Sequence, residues 1–78
     1  MEPTRELTYG EKAVGLTFNP SNNEVVDKIK KLYAEIIDTV NALPCEHAPS
    51  EKMRLIKIAI TEAQTAQMWA VKAVTWKD

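Results

Sequence analysis

From Ser50 to Trp76 the apolar residues do not keep to one stripe. Ala59, Ala63, Ala66, Ala70 and Ala73 recur at alternating spacings of four and three, which lays small side chains along one seam of a helix and lets a neighbouring backbone come close. Leu55, Ile58, Thr65, Trp69 and Trp76 form a second stripe, and Met53, Ile56, Ile60, Val71 and Val74 a third. One line stays mostly polar: Arg54, Lys57, Thr61, Gln64 and then Met68. A helix that is apolar almost all round has to be buried almost all round, which a chain this short cannot do alone. The pattern predicts a homo-oligomer.

Upstream, Thr8 and Glu11 have the T-x-x-E spacing of a capping box, predicting a short helix from Tyr9 to about Val14. Gly15, Phe18, Asn19, Pro20 and Ser21 break it, because Gly permits unusual dihedrals and the residue before Pro is pushed out of the helical region. Ser21 or Asn22 is the expected cap of a longer helix reaching about Leu43. Its apolar seam is Val26, Ile29, Tyr33, Ile36, Val40 and Leu43, and Glu24, Asp27, Lys28, Lys31, Glu35 and Asp38 form a solvated face with Glu24–Lys28 and Asp27–Lys31 at pairing distance. Pro44 ends this helix, Pro49 limits the loop and Ser50 starts the last one. A connection of roughly six residues folds two long helices, spanning roughly 30 and 39 Å at about 1.5 Å per residue, into an antiparallel hairpin.

The expected fold is all-α: a short N-terminal helix followed by a long antiparallel helical hairpin, assembled as a homo-oligomer. Residues 1–78 read as a single domain, with the short helix and loop in 1–20 and the hairpin in 21–78. In an isolated copy Trp69, Trp76 and much of the alanine seam would be an exposed patch larger than soluble monomers show. Two alanine seams meeting across closed symmetry would bury it economically.

Composition narrows the functions. A core built from 78 residues supplies only a few kcal/mol unless disulfides, metals or partner chains add to it. A lone Cys45 forms no internal disulfide and, with no signal-like segment, points to the cytoplasm. Lys57, Glu62 and Lys72 interrupt the greasiest stretch, so no membrane span is expected. A formal net charge of −1 and a pI near 5.8 argue against DNA or RNA polymers and anionic membranes as partners, while a small anion needs only a few aimed donors.

The candidates for chemistry are few. Cys45, Glu46 and His47 do not match a closed zinc site, and a Cys-His pair there lacks an orienting third group, so no metal and no enzyme is expected. Glu35 and Asp38 lie three apart, but the last helix offers only Glu62 against them, too few carboxylates for magnesium. Arg54, Lys57, Thr61 and Gln64 place a guanidinium, an ammonium, a hydroxyl and a carboxamide on one helix face, suited to phosphate oxygens and base edges. The competing reading is a solvated stripe with Thr61 bonded back to its own helix. Tyr9 and Phe18 can stack on nucleobases, with a lid over the hairpin core as the alternative, favoured for Phe18. Trp69 and Trp76 read as interface anchors.

The stretch Arg54 to Trp76, with its T-E-A-Q-T-A-Q-M-W-A-V-K-A run, resembles the hairpin domain of phage anti-defence sponge proteins, the anti-CBASS and anti-Thoeris proteins. The resemblance covers the last third of the chain and, more loosely, the hairpin plan from Ser21 onward. It implies a non-enzymatic sponge that sequesters cyclic dinucleotides, cyclic trinucleotides or cyclic ADP-ribose isomers, commonly as a hexamer. By the resemblance, Arg54 matches an arginine that contacts ligand where several protomers meet. An aromatic and a lysine from the N-terminal region line a second pocket; Tyr9 fits the aromatic, and Lys12 and Lys28 are both candidates for the lysine. The alternative function is a helical-hairpin oligomerisation or adaptor protein that binds a protein partner.

Overall fold

Each helix of this protein begins where a side-chain oxygen closes its first turn. The computed structural model describes residues 5–20, 22–47 and 49–77; among these the elements are α1 (Tyr9–Ala13), α2 (Glu24–Asn41) and α3 (Glu51–Thr75), and there is no strand. Thr8 Oγ1 accepts from the Glu11 amide at 3.0 Å, and the Thr8 amide donates back to Glu11 Oε1 at 2.9 Å, which completes the expected capping box. Both oxygens of Glu11 also accept from the Arg5 guanidinium, at 2.7 and 2.8 Å. Gly15, at a φ of +64°, turns the chain out of α1. Ser50 caps α3 by accepting from the Met53 amide at 3.1 Å.

The cap of α2 departs from the expectation. Asn23 supplies it, accepting from the amides of Val25 and Val26 at 2.8 and 3.3 Å, while Asn22 stands just before it at a φ of 52°, which Asn tolerates. Ser21 lies outside the described residues. The Asn19 carboxamide brackets Asn23, donating to its carbonyl at 2.9 Å and accepting from its amide at 3.3 Å, and this places the helix boundary there. At its other end α2 stops at Asn41, slightly short of Leu43, with Pro44 close behind. The two long helices have 18 and 25 residues, or about 27 and 38 Å at about 1.5 Å per residue.

α2 and α3 pack as the hairpin, and α1 docks on α2 by backbone contact. A Cβ at Gly10 would stand 2.9 Å from both the carbonyl carbon of Ala34 and the carboxyl carbon of Asp38, so only glycine allows this approach. The Gly10 amide, one of the donors a first helical turn leaves unpaired, donates to Asp38 Oδ1 at 2.7 Å. Asp38 is therefore half-buried and tied to α1 rather than part of a solvated face, and Asp27 is half-buried beside its pair Lys31, 3.1 Å away.

This contact also turns α2 from its expected orientation. Ala34, the small residue under Gly10, faces inward with Ile37, and Lys30 and Val26 follow on the same line; Ile36 and Leu43, expected in the seam, are half-exposed. The core is Val14, Ala34, Ile37 and Ile60, flanked by Ala13, Leu16, Tyr33, Val40, Ile56 and Ala63. From α3 the third stripe packs inward, with Met53, Ile56, Val71 and Val74 half-buried around Ile60. Leu55, Ile58, Met68, Trp69 and Trp76 stay exposed, the patch expected of an isolated copy. The Cα trace is a slab of 45 × 39 × 13 Å, and its radius of gyration of 14.5 Å exceeds the value of about 11.5 Å for a compact chain of this length. Among the described residues no helix is long and apolar enough to cross a membrane.

Gly10→Ala should push α1 off α2 and cost about 1–3 kcal/mol, the range for overpacking; urea unfolding at fixed protein concentration should show the midpoint falling, and an unchanged midpoint would contradict the backbone contact. Glu11 is held at about 2, below the ordinary 4.5, chiefly by its hydrogen bonds from Arg5 and then from the Thr8 amide. Because the folded carboxyl is the stronger acid, its contribution to α1 is full above pH 4.5 and fades as pH falls toward about 2. A carboxyl-carbon NMR titration should place the Glu11 midpoint near the lower value in the native chain and closer to the ordinary one in Arg5→Ala.

Candidate functional site

Docked through Gly10, α1 leaves a cleft on either side of itself against α3, and Gln64 lines both. The Gln64 carboxamide makes the partition, donating to the carbonyl of Ala13 at 3.4 Å. The first cleft, of about 620 Å³, lies toward the hairpin loop; Tyr9, Cys45, Lys57, Thr61 and Gln64 surround an apolar floor of Met53, Ile56 and Ile60. The second, of about 690 Å³, lies toward the open end, between Lys12, Gly15 and Phe18 on one side and Gln64, Gln67 and Met68 on the other, with Lys30 of α2 behind. Both volumes fall within the roughly 300–1,000 Å³ of small-molecule sites.

The expected site residues divide between the clefts. Tyr9, Lys57, Thr61 and Gln64 meet in the first, and Lys12, Phe18 and Gln64 in the second. The first residue of α1, Tyr9, is half-exposed with its ring open to solvent. The Thr61 hydroxyl has no partner among the described residues; it is Thr65 that bonds back to its own helix, donating to the Thr61 carbonyl at 3.2 Å. Phe18 is 70% exposed and so does not close over the core as a lid. Instead its ring flanks the second cleft, 5.4 Å from the Lys30 ammonium. Lys28 is exposed and lines neither cleft. Arg54 also lies outside both, on the outer surface, where the adjacent Glu51 carboxylate pairs with it and raises its pKa.

Two polar side chains in the second cleft, Lys30 and Gln67, were not among the expected ones. Lys30, only 5% exposed, donates from Nζ to the carbonyls of Gly15, at 3.0 Å, and Phe18, and thereby straps the turn after α1 onto α2. Gln67 is equally buried and faces the cleft from α3. Each is a polar residue on an otherwise apolar line, Lys30 between Val26 and Ala34, Gln67 between Ile60 and Val71, and that interruption was the available signal.

Elsewhere the polar groups look structural. Cys45 Sγ lies 3.4 Å from the His47 carbonyl and 3.3 Å from Ser50 Oγ, knitting the loop to the start of α3. Among the described residues no three His, Cys, Asp or Glu side chains converge as a metal site. The Lys72 ammonium sits 5.5 and 5.7 Å from the rings of Trp69 and Trp76, so the two exposed indoles flank one cation. The clefts combine aromatic faces, ammonium groups, a hydroxyl and carboxamides, a donor set for holding a planar anionic molecule.

A family model described as the Acb2/Tad1 hairpin domain matches residues 11–75, which includes all of α2 and α3 and most of α1. No curated protein and no solved structure matches the chain significantly.

Lys30→Met should leave the Phe18 carbonyl without its donor and the Gly15 carbonyl with the Phe18 amide alone. A loss of about 1–3 kcal/mol is expected, with amide hydrogen exchange accelerated most over residues 15–18. Exchange that rises evenly along the chain would show that Lys30 is not the strap of this turn.

Proposed function

Because the chain belongs to the Acb2/Tad1 hairpin-domain family, which implies a phage anti-defence function, we propose that it is a non-enzymatic sponge. It binds cyclic dinucleotides, cyclic trinucleotides or cyclic ADP-ribose isomers in the cytoplasm of the infected host and keeps these signals from the effectors of CBASS or Thoeris defence. The observation that carries this reading is the pair of clefts around α1, where a family-matched hairpin brings Tyr9, Lys57, Thr61 and Gln64 together on one side and Lys12 and Phe18 on the other. Aromatic rings stack on bases while ammonium and hydroxyl groups take phosphate oxygens, and a partly desolvated site strengthens both.

The sponge acts as a homo-oligomer, a hexamer in this reading. The exposed Leu55, Ile58, Trp69 and Trp76 supply the apolar area for protomer contacts. Arg54, which serves neither cleft of one copy and pairs with Glu51 of the same helix, becomes a ligand donor where several copies meet. Two-fold related clefts present each donor twice to a ligand that is itself nearly two-fold symmetric. The same exposed indoles favour a second reading, in which the hairpin is an adaptor for a protein partner.

Native mass spectrometry of the purified protein with a panel of cyclic dinucleotides, cyclic trinucleotides and cyclic ADP-ribose isomers separates the two. A hexamer that carries stoichiometric ligand and releases it chemically unchanged on heating is expected. A bare assembly across the panel would favour the adaptor, and altered ligand would mean an enzyme. Arg54→Ala should abolish binding of the ligand held between protomers and leave the assembly mass intact; binding that survives the change would remove Arg54 from the site.

A further inference from the structure

Gln67 and Lys30 are the two buried polar side chains that line the second cleft, and of the two it is Lys30 that bonds to the protein. Gln67 is 5% exposed, yet among the described residues its carboxamide makes no hydrogen bond. Among the described residues no side-chain nitrogen or oxygen is both sealed from solvent and unpaired, so this amide keeps some exposure, and the cleft that Gln67 lines is the second. With the rest of the side chain buried, the amide donor and acceptor are held at the cleft and are free of protein partners among the described residues.

The surroundings indicate the chemistry of the missing partner. A carboxamide offers a donor and an acceptor side by side, the pattern that pairs bidentately with the amino group and ring nitrogen of adenine. The Phe18 ring stands at the same cleft and presents a face for stacking. The buried Lys30 ammonium is committed to two backbone carbonyls and holds Phe18 in place, so it does not compete for the base. Lys12 lies at the rim, exposed and paired at 3.9 Å with the still more exposed Glu6, so its ammonium can turn to a phosphate.

We propose that the second cleft is an adenine subsite in which Gln67 reads the base edge, Phe18 stacks on the ring and Lys12 meets the attached phosphate. This rests on the nucleotide-binding reading above and adds to it a base preference and the residue that sets it. Gln67 is thus a specificity-determining residue, with no role in the hairpin's own hydrogen bonding.

The test compares the native protein with Gln67→Met, a change of similar length that removes the donor and acceptor, by titration with cyclic di-AMP, cyclic tri-AMP and cyclic di-GMP. An adenine ligand held by the native protein should lose about tenfold in affinity in the variant, equivalent to about 1.4 kcal/mol. Cyclic di-GMP binding should not change, and the assembly mass should not change either. In the native protein, amide-proton NMR should show the Gln67 side-chain signals shifting as the adenine ligand saturates, a readout that does not depend on the variant folding. Adenine-ligand binding with unmoved Gln67 signals, or with equal loss for guanine and adenine ligands, would overturn the subsite while the sponge stands. A variant that falls apart into smaller species would make Gln67 a contact between protomers instead. Binding only of signals outside these three ligands would also retain the sponge and remove the subsite, and binding of nothing in the wider panel would remove both.

Discussion

The close approach of Gly10 to α2 is the contact on which the rest of the molecule depends. Without a side chain at this position the backbone of α1 can rest on Ala34, and its free amide finds the Asp38 carboxylate at 2.7 Å. Three consequences follow from one missing methyl group. α2 turns to put Ala34 and Ile37 inward, Val14 is carried onto Ile60 to complete the core, and α1 becomes the wall that divides the hairpin surface into two clefts. The capping box and the Arg5–Glu11 pair hold a helix of only five residues in shape for that task, which helix propensity alone could not do.

A core so small leaves most of α3 uncovered. Only Ile60 and Gln67 of its 25 residues are buried, while Trp69 and Trp76 stand out on either side of Lys72. An exposed apolar helix face is unfavourable in water, and it becomes favourable when another copy or a partner covers it. The proposed assembly therefore answers the same physical demand that the alanine seam expresses in one dimension. It also gives the outlying Arg54 a role that neither cleft of a single copy offers.

The two clefts differ in how their polar groups are disposed. In the first, Lys57 and Thr61 are exposed on an apolar floor, so a ligand would meet hydrated and adaptable donors. In the second, Lys30 is spent on the backbone, and the mostly buried Gln67 keeps its amide at the cleft without a partner among the described residues. One lysine thus stabilises the turn that positions Phe18, and one carboxamide is held by burial of its own stem. Groups already held in place would reduce the ordering cost of the proposed association.

Local signals in the sequence determined the elements. The Thr8–Glu11 spacing, Gly15, Pro44 and Ser50 mark helix ends through bonds made within a few residues, and the periodicity of α3 lays out its stripes, of which the fold chose the third to pack inward. The T-E-A-Q-T-A-Q-M-W-A-V-K-A run carried the family, which the match over residues 11–75 shows. Tertiary structure decided what depends on contacts between distant segments: the turn of α2 that exposes Ile36 and Leu43, the capture of Asp38 by α1, and the sorting of Tyr9 and Phe18 into different clefts. Lys30 and Gln67 were visible only as polar interruptions of apolar lines, and periodicity cannot say whether such a residue meets solvent, a carbonyl or a cavity. That outcome is set by where another helix stands, and here a single glycine places it.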